Sequence, residues 1–225
     1  MMNNFDDILL ELGYRVPEGI VDLTKDYQVV ELVNILKENG YSDANELAQK
    51  ARVYFSYLKE IEEAKAGRKS EIIVKVNSLS DKGLIKKLYE AADAGVTIKM
   101  IVRGIFCAVE QKSFKKKIHA ISIVDEYLEH SRVMYFYNKG SEDVYLSSAD
   151  WMTRNLDYRI EAAVKVNQKN LKKELKDLLE LQLKGNVKAR FLDEDLTNKY
   201  VKNNKKPFRS QIETYKFLEK KAIEN

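Results

Sequence analysis

The chain has 225 residues, 33% of them charged, and 39 Lys and Arg against 35 Asp and Glu leave a net charge of +4. So small an excess does not by itself call for nucleic acid. The single Cys, Cys107, excludes an internal disulfide and gives no support for a thiolate metal cluster, and no apolar run approaches a membrane span. The length suits one large or two small domains with a real core.

Met1-Met2-Asn3-Asn4-Phe5 lacks a basic region followed by an apolar one, so a soluble cytoplasmic protein is expected. Phe5, Ile8, Leu9 and Leu12 fall at helical spacing, and Gly13 ends that segment. Pro17-Glu18-Gly19 marks a turn. A second helix is expected from about Asp26, carrying Val29, Val30, Val33 and Leu36, with Gly40 as its stop. Ser42 can cap a third, long helix bearing Leu47, Ala51, Tyr54, Phe55, Leu58 and Ile61. Residues 1–65 therefore read as a helical segment with no chemical cluster.

The pattern changes at Glu71-Ile72-Ile73-Val74-Lys75-Val76, a short β-branched run typical of a buried strand. A helix from Lys82 to Ala94 stops at Gly95, and a second strand follows over 97–102. Strand, helix and strand in about thirty residues make a βαβ unit, hence a parallel pair with a right-handed crossover. In such sheets ligands sit beyond the carboxyl ends of the strands. Those ends carry Asn77, Ser78 and Asp81 in one loop and Arg103-Gly104 in the other.

The basic run Lys115-Lys116-Lys117 reads as a solvated face. A further strand is expected over 120–124. Residues 132–138 and 143–148 read as antiparallel strands joined through Asn138-Lys139-Gly140-Ser141. Then come a strand within 159–166, an amphipathic helix from Leu171 to Leu183, a short strand within 187–192 and a terminal helix over 208–217.

His130 and Arg132 stand two apart at the start of the hairpin, where alternation sends both to one face. The returning strand brings Ser147, Ser148, Asp150 and Trp151 into a polar loop. An imidazole, a guanidinium and hydroxyls together suit a tetrahedral oxyanion such as a phosphoryl group. Arg103 ends a strand and precedes a Gly, which makes it a second candidate. Trp151 reads as packing and His119 as a surface residue. No His, Cys, Asp and Glu spacing suggests a zinc site, and no P-loop is present.

The stretches Asn77-Ser78-Leu79-Ser80-Asp81, Ile101-Val102-Arg103-Gly104, Tyr127-Leu128-Glu129-His130-Ser131-Arg132-Val133 and Ser147-Ser148-Ala149-Asp150-Trp151-Met152-Thr153-Arg154-Asn155 resemble the last domain of polyphosphate kinases of the first type. The resemblance runs from about Ile61 to about Lys220. It implies an α/β fold of phospholipase-D-like type over 66–225, with a mixed sheet flanked by helices, behind the helical segment 1–65. That family moves the terminal phosphate of ATP to and from polyphosphate, with magnesium, through a phosphohistidine in the preceding domain. Carried over residue by residue, it makes Arg103 and His130 nucleotide-contacting positions, with His130 the catalytic candidate; the chemistry of the residue set adds Arg132, Ser147 and Ser148 as phosphate-binding positions.

The chain departs from the family in its loop Ala108-Val109-Glu110-Gln111-Lys112-Ser113, and residues 1–60 do not match it. A phospholipase-D motif would place an acid where Tyr137 stands. The expectation is a polyphosphate kinase half-site, a phosphotransferase inactive without the preceding domain. Its expected partners are ATP or ADP, polyphosphate, and either that upstream domain or a second copy; neither membrane nor nucleic acid is expected. Two alternatives differ in class: a homodimeric single-motif phosphodiesterase, and a non-catalytic interaction module docking through Tyr54, Phe55, Leu58 and Ile61.

Overall fold

The computed structural model describes residues 56–109, 114–156, 159 and 161–224. Of the three helices expected near the start, only helical residues 56–65 (α1) fall within that set. Residues Tyr57–Asn225 form one compact unit.

That unit is built on a seven-stranded mixed sheet in the order β6-β5-β4-β1-β2-β3-β7. The strands are β1 (Glu71–Val76), β2 (Thr97–Val102), β3 (His119–Ile123), β4 (Arg132–Phe136), β5 (Asp143–Ser147), β6 (Ala163–Val166) and β7 (Ala189–Phe191). β1, β2 and β3 run parallel; β4, β5, β6 and β7 each run antiparallel to the neighbour they join. The strands expected over 72–76, 97–102, 131–138 and 143–148 thus share one sheet. The strand expected within 159–166 is shorter, since Arg159 is an exposed bend residue.

The crossover helix α2 (Lys82–Ala94) begins where Asp81 Oδ1 accepts a hydrogen bond from Leu84 N at 2.8 Å. It ends at Gly95, whose φ of +99° is a left-handed conformation that glycine adopts without strain. Alternation splits the strand residues between two faces. Ile73, Ile101, Ile121, Val133, Tyr135 and Val144 form one apolar cluster with Leu175 and Leu179 of α4 (Lys169–Leu183). Ile72, Val74, Met100 and Phe136 are buried on the other side, where Tyr57 of α1 sets its ring edge-on to Phe136 at 5.6 Å.

Glu60, fully buried, staples α1 to the sheet by accepting from Glu71 N at 2.9 Å and Asn138 N at 2.5 Å. Burial raises its pKa, against the pull of those two bonds. A four-residue helix α3 (Thr153–Leu156) follows β5, and α5 (Ser210–Glu224) closes the chain. Among the described residues, no helix is long and apolar enough to cross a membrane.

Candidate functional site

Three loops meet beyond the carboxyl end of β1. Leu79, at the middle of the first, forms parallel bridges to Phe106 on one side and Trp151 on the other. Backbone bonds fasten it: Leu79 N to Ile105 O at 2.8 Å, Trp151 N to Ser78 O at 3.0 Å, Ser80 N to Trp151 O at 2.8 Å. Trp151 is 2% exposed and stacks edge-on to Tyr57, so it packs, as expected. Gly104 is required by this closeness. A Cβ there would lie 3.0 Å from Ser78 Oγ and 3.1 Å from Asn77 O. The group that approaches Gly104 is the chain's own neighbouring loop.

Asp150 is the hub. Its Oδ1 accepts from Asn77 N at 2.7 Å, from Ser78 N at 3.2 Å and from Arg132 Nε at 3.0 Å, and its Oδ2 accepts from Arg132 Nη2 at 3.0 Å. Burial by itself would raise its pKa; the Arg132 guanidinium and the backbone N–H groups outweigh burial and hold it below the usual carboxylate range. Arg132 also reaches His130, with Nη1 on the carbonyl oxygen at 3.3 Å and Nη2 on the ring Nε2 at 3.2 Å. Arginine only donates, so the second contact is a hydrogen bond while Nε2 keeps its lone pair. His130 precedes β4 rather than lying on it, yet its exposed ring meets Arg132 as expected.

On the other side of β1, Arg103 Nε donates to Asn77 Oδ1 at 3.2 Å. Its two terminal nitrogens make no hydrogen bond to any described residue. Asn77 is 6% exposed, and its Nδ2 is buried without a partner. One continuous network therefore runs His130, Arg132, Asp150, Asn77, Arg103, and it joins the two nucleotide-contacting candidates.

The hydroxyls differ. Ser147 Oγ accepts from Ala149 N at 3.0 Å. Ser148 Oγ donates to Glu161 and accepts from Ala162 N at 2.9 Å. Asn155 Nδ2 donates to the other oxygen of Glu161 at 2.7 Å. Ser148 thus ties two segments together. Asp81, read from the sequence as part of the ligand loop, caps α2. Tyr137 stands at the end of β4 opposite to His130, so that position contributes nothing to this site. His119 is exposed at the start of β3, as expected.

Sequence reasoning missed one group. Lys75, 6% exposed on the central strand, pairs with Glu129, which also accepts from Gln182 Nε2 at 2.8 Å. Burial lowers the Lys75 pKa, Glu129 resists that, and nearby Arg103 adds to it. A lysine inside a β-branched run was the available signal.

A family model described as polyphosphate kinase C-terminal domain 2 matches residues 46–211, so the match takes in residues 46–60, which the sequence reading left outside the family. The chain belongs to that family. The polyphosphate kinase of Yersinia pestis is 47% identical over 167 residues, which are 73% of this chain and 24% of that relative. The Escherichia coli K12 polyphosphate kinase is 44% identical over 162 residues, 71% of this chain and 24% of the relative. The crystal structure of the Porphyromonas gingivalis polyphosphate kinase matches with a TM-score of 0.75 at 42% identity, over 78% of this chain and 27% of that one. The chain spans about a quarter of the length of the curated relatives it matches.

Proposed function

We propose that this polyphosphate kinase C-terminal domain supplies phosphate binding to the reversible transfer of the terminal phosphate of ATP to polyphosphate. One observation carries the reading. Arg103 is fixed through Nε beyond the carboxyl ends of parallel strands, and among the described residues its two terminal nitrogens meet no hydrogen-bond partner. That fork suits two phosphate oxygens, and the unpartnered Asn77 Nδ2 is a buried donor beside it. His130 serves as the acid, base or donor facing the transferred group. Arg132 and Ser148 act by holding His130 and the loops in place, since their bonding capacity is largely spent within the protein. Ser147 keeps its hydroxyl proton for a phosphate oxygen.

Among the described residues, no group of three or more His, Cys, Asp and Glu could hold a metal ion. Magnesium therefore enters the proposal as the counter-ion of the ATP phosphates. The phosphorylated histidine implied by the resemblance belongs to a preceding domain, supplied within a longer chain or by another subunit. The isolated chain is expected to bind magnesium-ATP weakly, with little or no turnover. Isothermal titration with magnesium-ATP tests binding; addition of the upstream portion of a relative tests turnover. Robust polyphosphate synthesis by the chain alone would overturn the half-site reading.

The alternatives gain no support. The phosphodiesterase reading lacks an acid at the Tyr137 position. The docking reading leaned on a stripe whose described members include Ile61, 7% exposed within the chain's own unit.

A further inference from the structure

A cavity of about 530 Å³ lies between α4, α5 and the sheet. Its walls are apolar: Val133 and Leu146 from the sheet, Leu178 and Leu179 from α4, Leu218 from α5. Sites for small organic molecules span roughly 300–1,000 Å³ and combine such walls with a few placed polar groups.

Among the described residues, two polar atoms in the lining are buried with no hydrogen-bond partner, Gln182 Oε1 and Thr214 Oγ1. Gln182 is only 6% exposed. Its Nε2 donates to Glu129 Oε2, which fixes the amide so that the bare atom is the carbonyl oxygen. A carbonyl oxygen only accepts, and leaving it unmet in the interior is unfavourable. The lysine in the lining is Lys75, and Glu129 neutralises it. The cavity thus lacks the open positive charge that marks Arg103.

We propose that this cavity is a binding site for an uncharged, largely apolar small molecule bearing an N–H or O–H donor. The apolar body lies against the leucines, and the donor meets Gln182 Oε1 or Thr214 Oγ1. The site adjoins the phosphate-binding loops at His130, which lines it, but its apolar walls and its two bare polar atoms lie on the α4 and α5 side, and it does not depend on the kinase reading.

The probe is N-phenyl-1-naphthylamine, neutral and apolar with one N–H, whose fluorescence rises in apolar surroundings. Its N-methyl derivative, which lacks the donor, is the control. The full chain is expected to bind one equivalent saturably, about tenfold more tightly than it binds the derivative, the scale of one hydrogen bond. Thr214→Val and Gln182→Leu are tested singly; at least one is expected to remove that preference. Leu178→Trp fills the cavity and is expected to abolish binding of both probes, with far-UV circular dichroism confirming the fold. Should the tryptophan variant not fold, the two polar variants carry the test. Absence of saturable binding, equal affinity for probe and derivative, or an unchanged preference in both polar variants overturns the proposal. So does undiminished binding by a folded Leu178→Trp, or displacement of the probe by magnesium-ATP.

Discussion

Arg132 and Arg103 flank the same end of β1, one opening β4 and the other following β2, yet they are spent differently. Arg132 places Nε and Nη2 on Asp150 and its remaining reach on His130. Arg103 gives one nitrogen to Asn77, and its fork meets no other partner among the described residues. Identical side chains at neighbouring loops thus divide the work: one closes the frame, the other faces outward. A guanidinium binds phosphate only with the N–H groups that the fold has left open.

The sharpest way to break this contrast is to remove the acceptor. Asp150→Ala strands a guanidinium whose side chain is 12% exposed, together with the N–H groups of Asn77 and Ser78. The expected loss is about 3–5 kcal/mol, the range for breaking a buried ion pair, measured by urea unfolding. The pH dependence follows. The folded-state pKa of Asp150 is depressed, so its contribution is complete above the unfolded value of about 3.9 and fades as pH falls through the lower folded value. The stability gap between wild type and Asp150→Asn should narrow on acidification. A gap that widens toward low pH would contradict the pairing.

Arg103→Ala should do the reverse, costing only about 1 kcal/mol of stability for the hydrogen bond that Asn77 loses. Magnesium-ATP binding should weaken by about 1.5–3 kcal/mol, the scale of a charged hydrogen bond. Isothermal titration beside an unfolding curve separates the two arginines. Equal ATP affinity in wild type and Arg103→Ala would end its assignment.

A third variant sharpens what a buried pair contributes. Lys75→Met leaves Glu129 with Gln182 as a remaining partner, so a loss of about 1–2 kcal/mol is expected. Adding Glu129→Gln should bring the double variant back to within about 1 kcal/mol of wild type, because a neutral replacement removes the stranded charge. The Asp150 frame lacks that remedy, as its carboxylate also serves two backbone donors. Additive losses in a double-mutant cycle would show that Lys75 and Glu129 do not act as a pair.

Much of this was legible in the sequence, for local reasons. The β-branched run at 71–76 and the Asp81 and Gly95 caps place β1 and α2 without any tertiary information. The hairpin reads from its turn. The sheet order does not: β4 follows β3 in the chain yet crosses to pair with β1, a choice set by packing. The terminal helix runs on to Glu224, beyond the expected end near 217, through a region where apolar spacing is poor. At the site, residue types were readable and their commitments were not. Arg132 reads as a phosphate ligand, and nothing local shows that Asp150, 18 residues away, already takes two of its nitrogens. Lys75 and Gln182 meet on Glu129 from sequence separations of 54 and 53, which no local pattern encodes.

The smallest effect tests whether the frame is rigid. In Gly104→Ala the new Cβ would stand 3.0 Å from Ser78 Oγ and 3.1 Å from Asn77 O, so one of the two loops must shift. The serine hydroxyl can rotate away; the Asn77 carbonyl cannot, since Gly104 N donates to it at 2.6 Å. The cost should be about 1 kcal/mol, the low end for overpacking. Because the strain falls on Asn77, which anchors Arg103, ATP affinity should also drop by about threefold, or near 0.7 kcal/mol. Gly95→Ala is the matched control: its strain comes from a φ of +99° and the nearest atoms belong to the flexible Lys115 side chain. It should cost about 1 kcal/mol through backbone conformation and leave ATP binding unchanged. If both substitutions destabilise equally and neither touches ATP affinity, Asn77 moves freely with its loop. The contrast between a closed Arg132 and an aimed Arg103 would then not rest on a rigid frame.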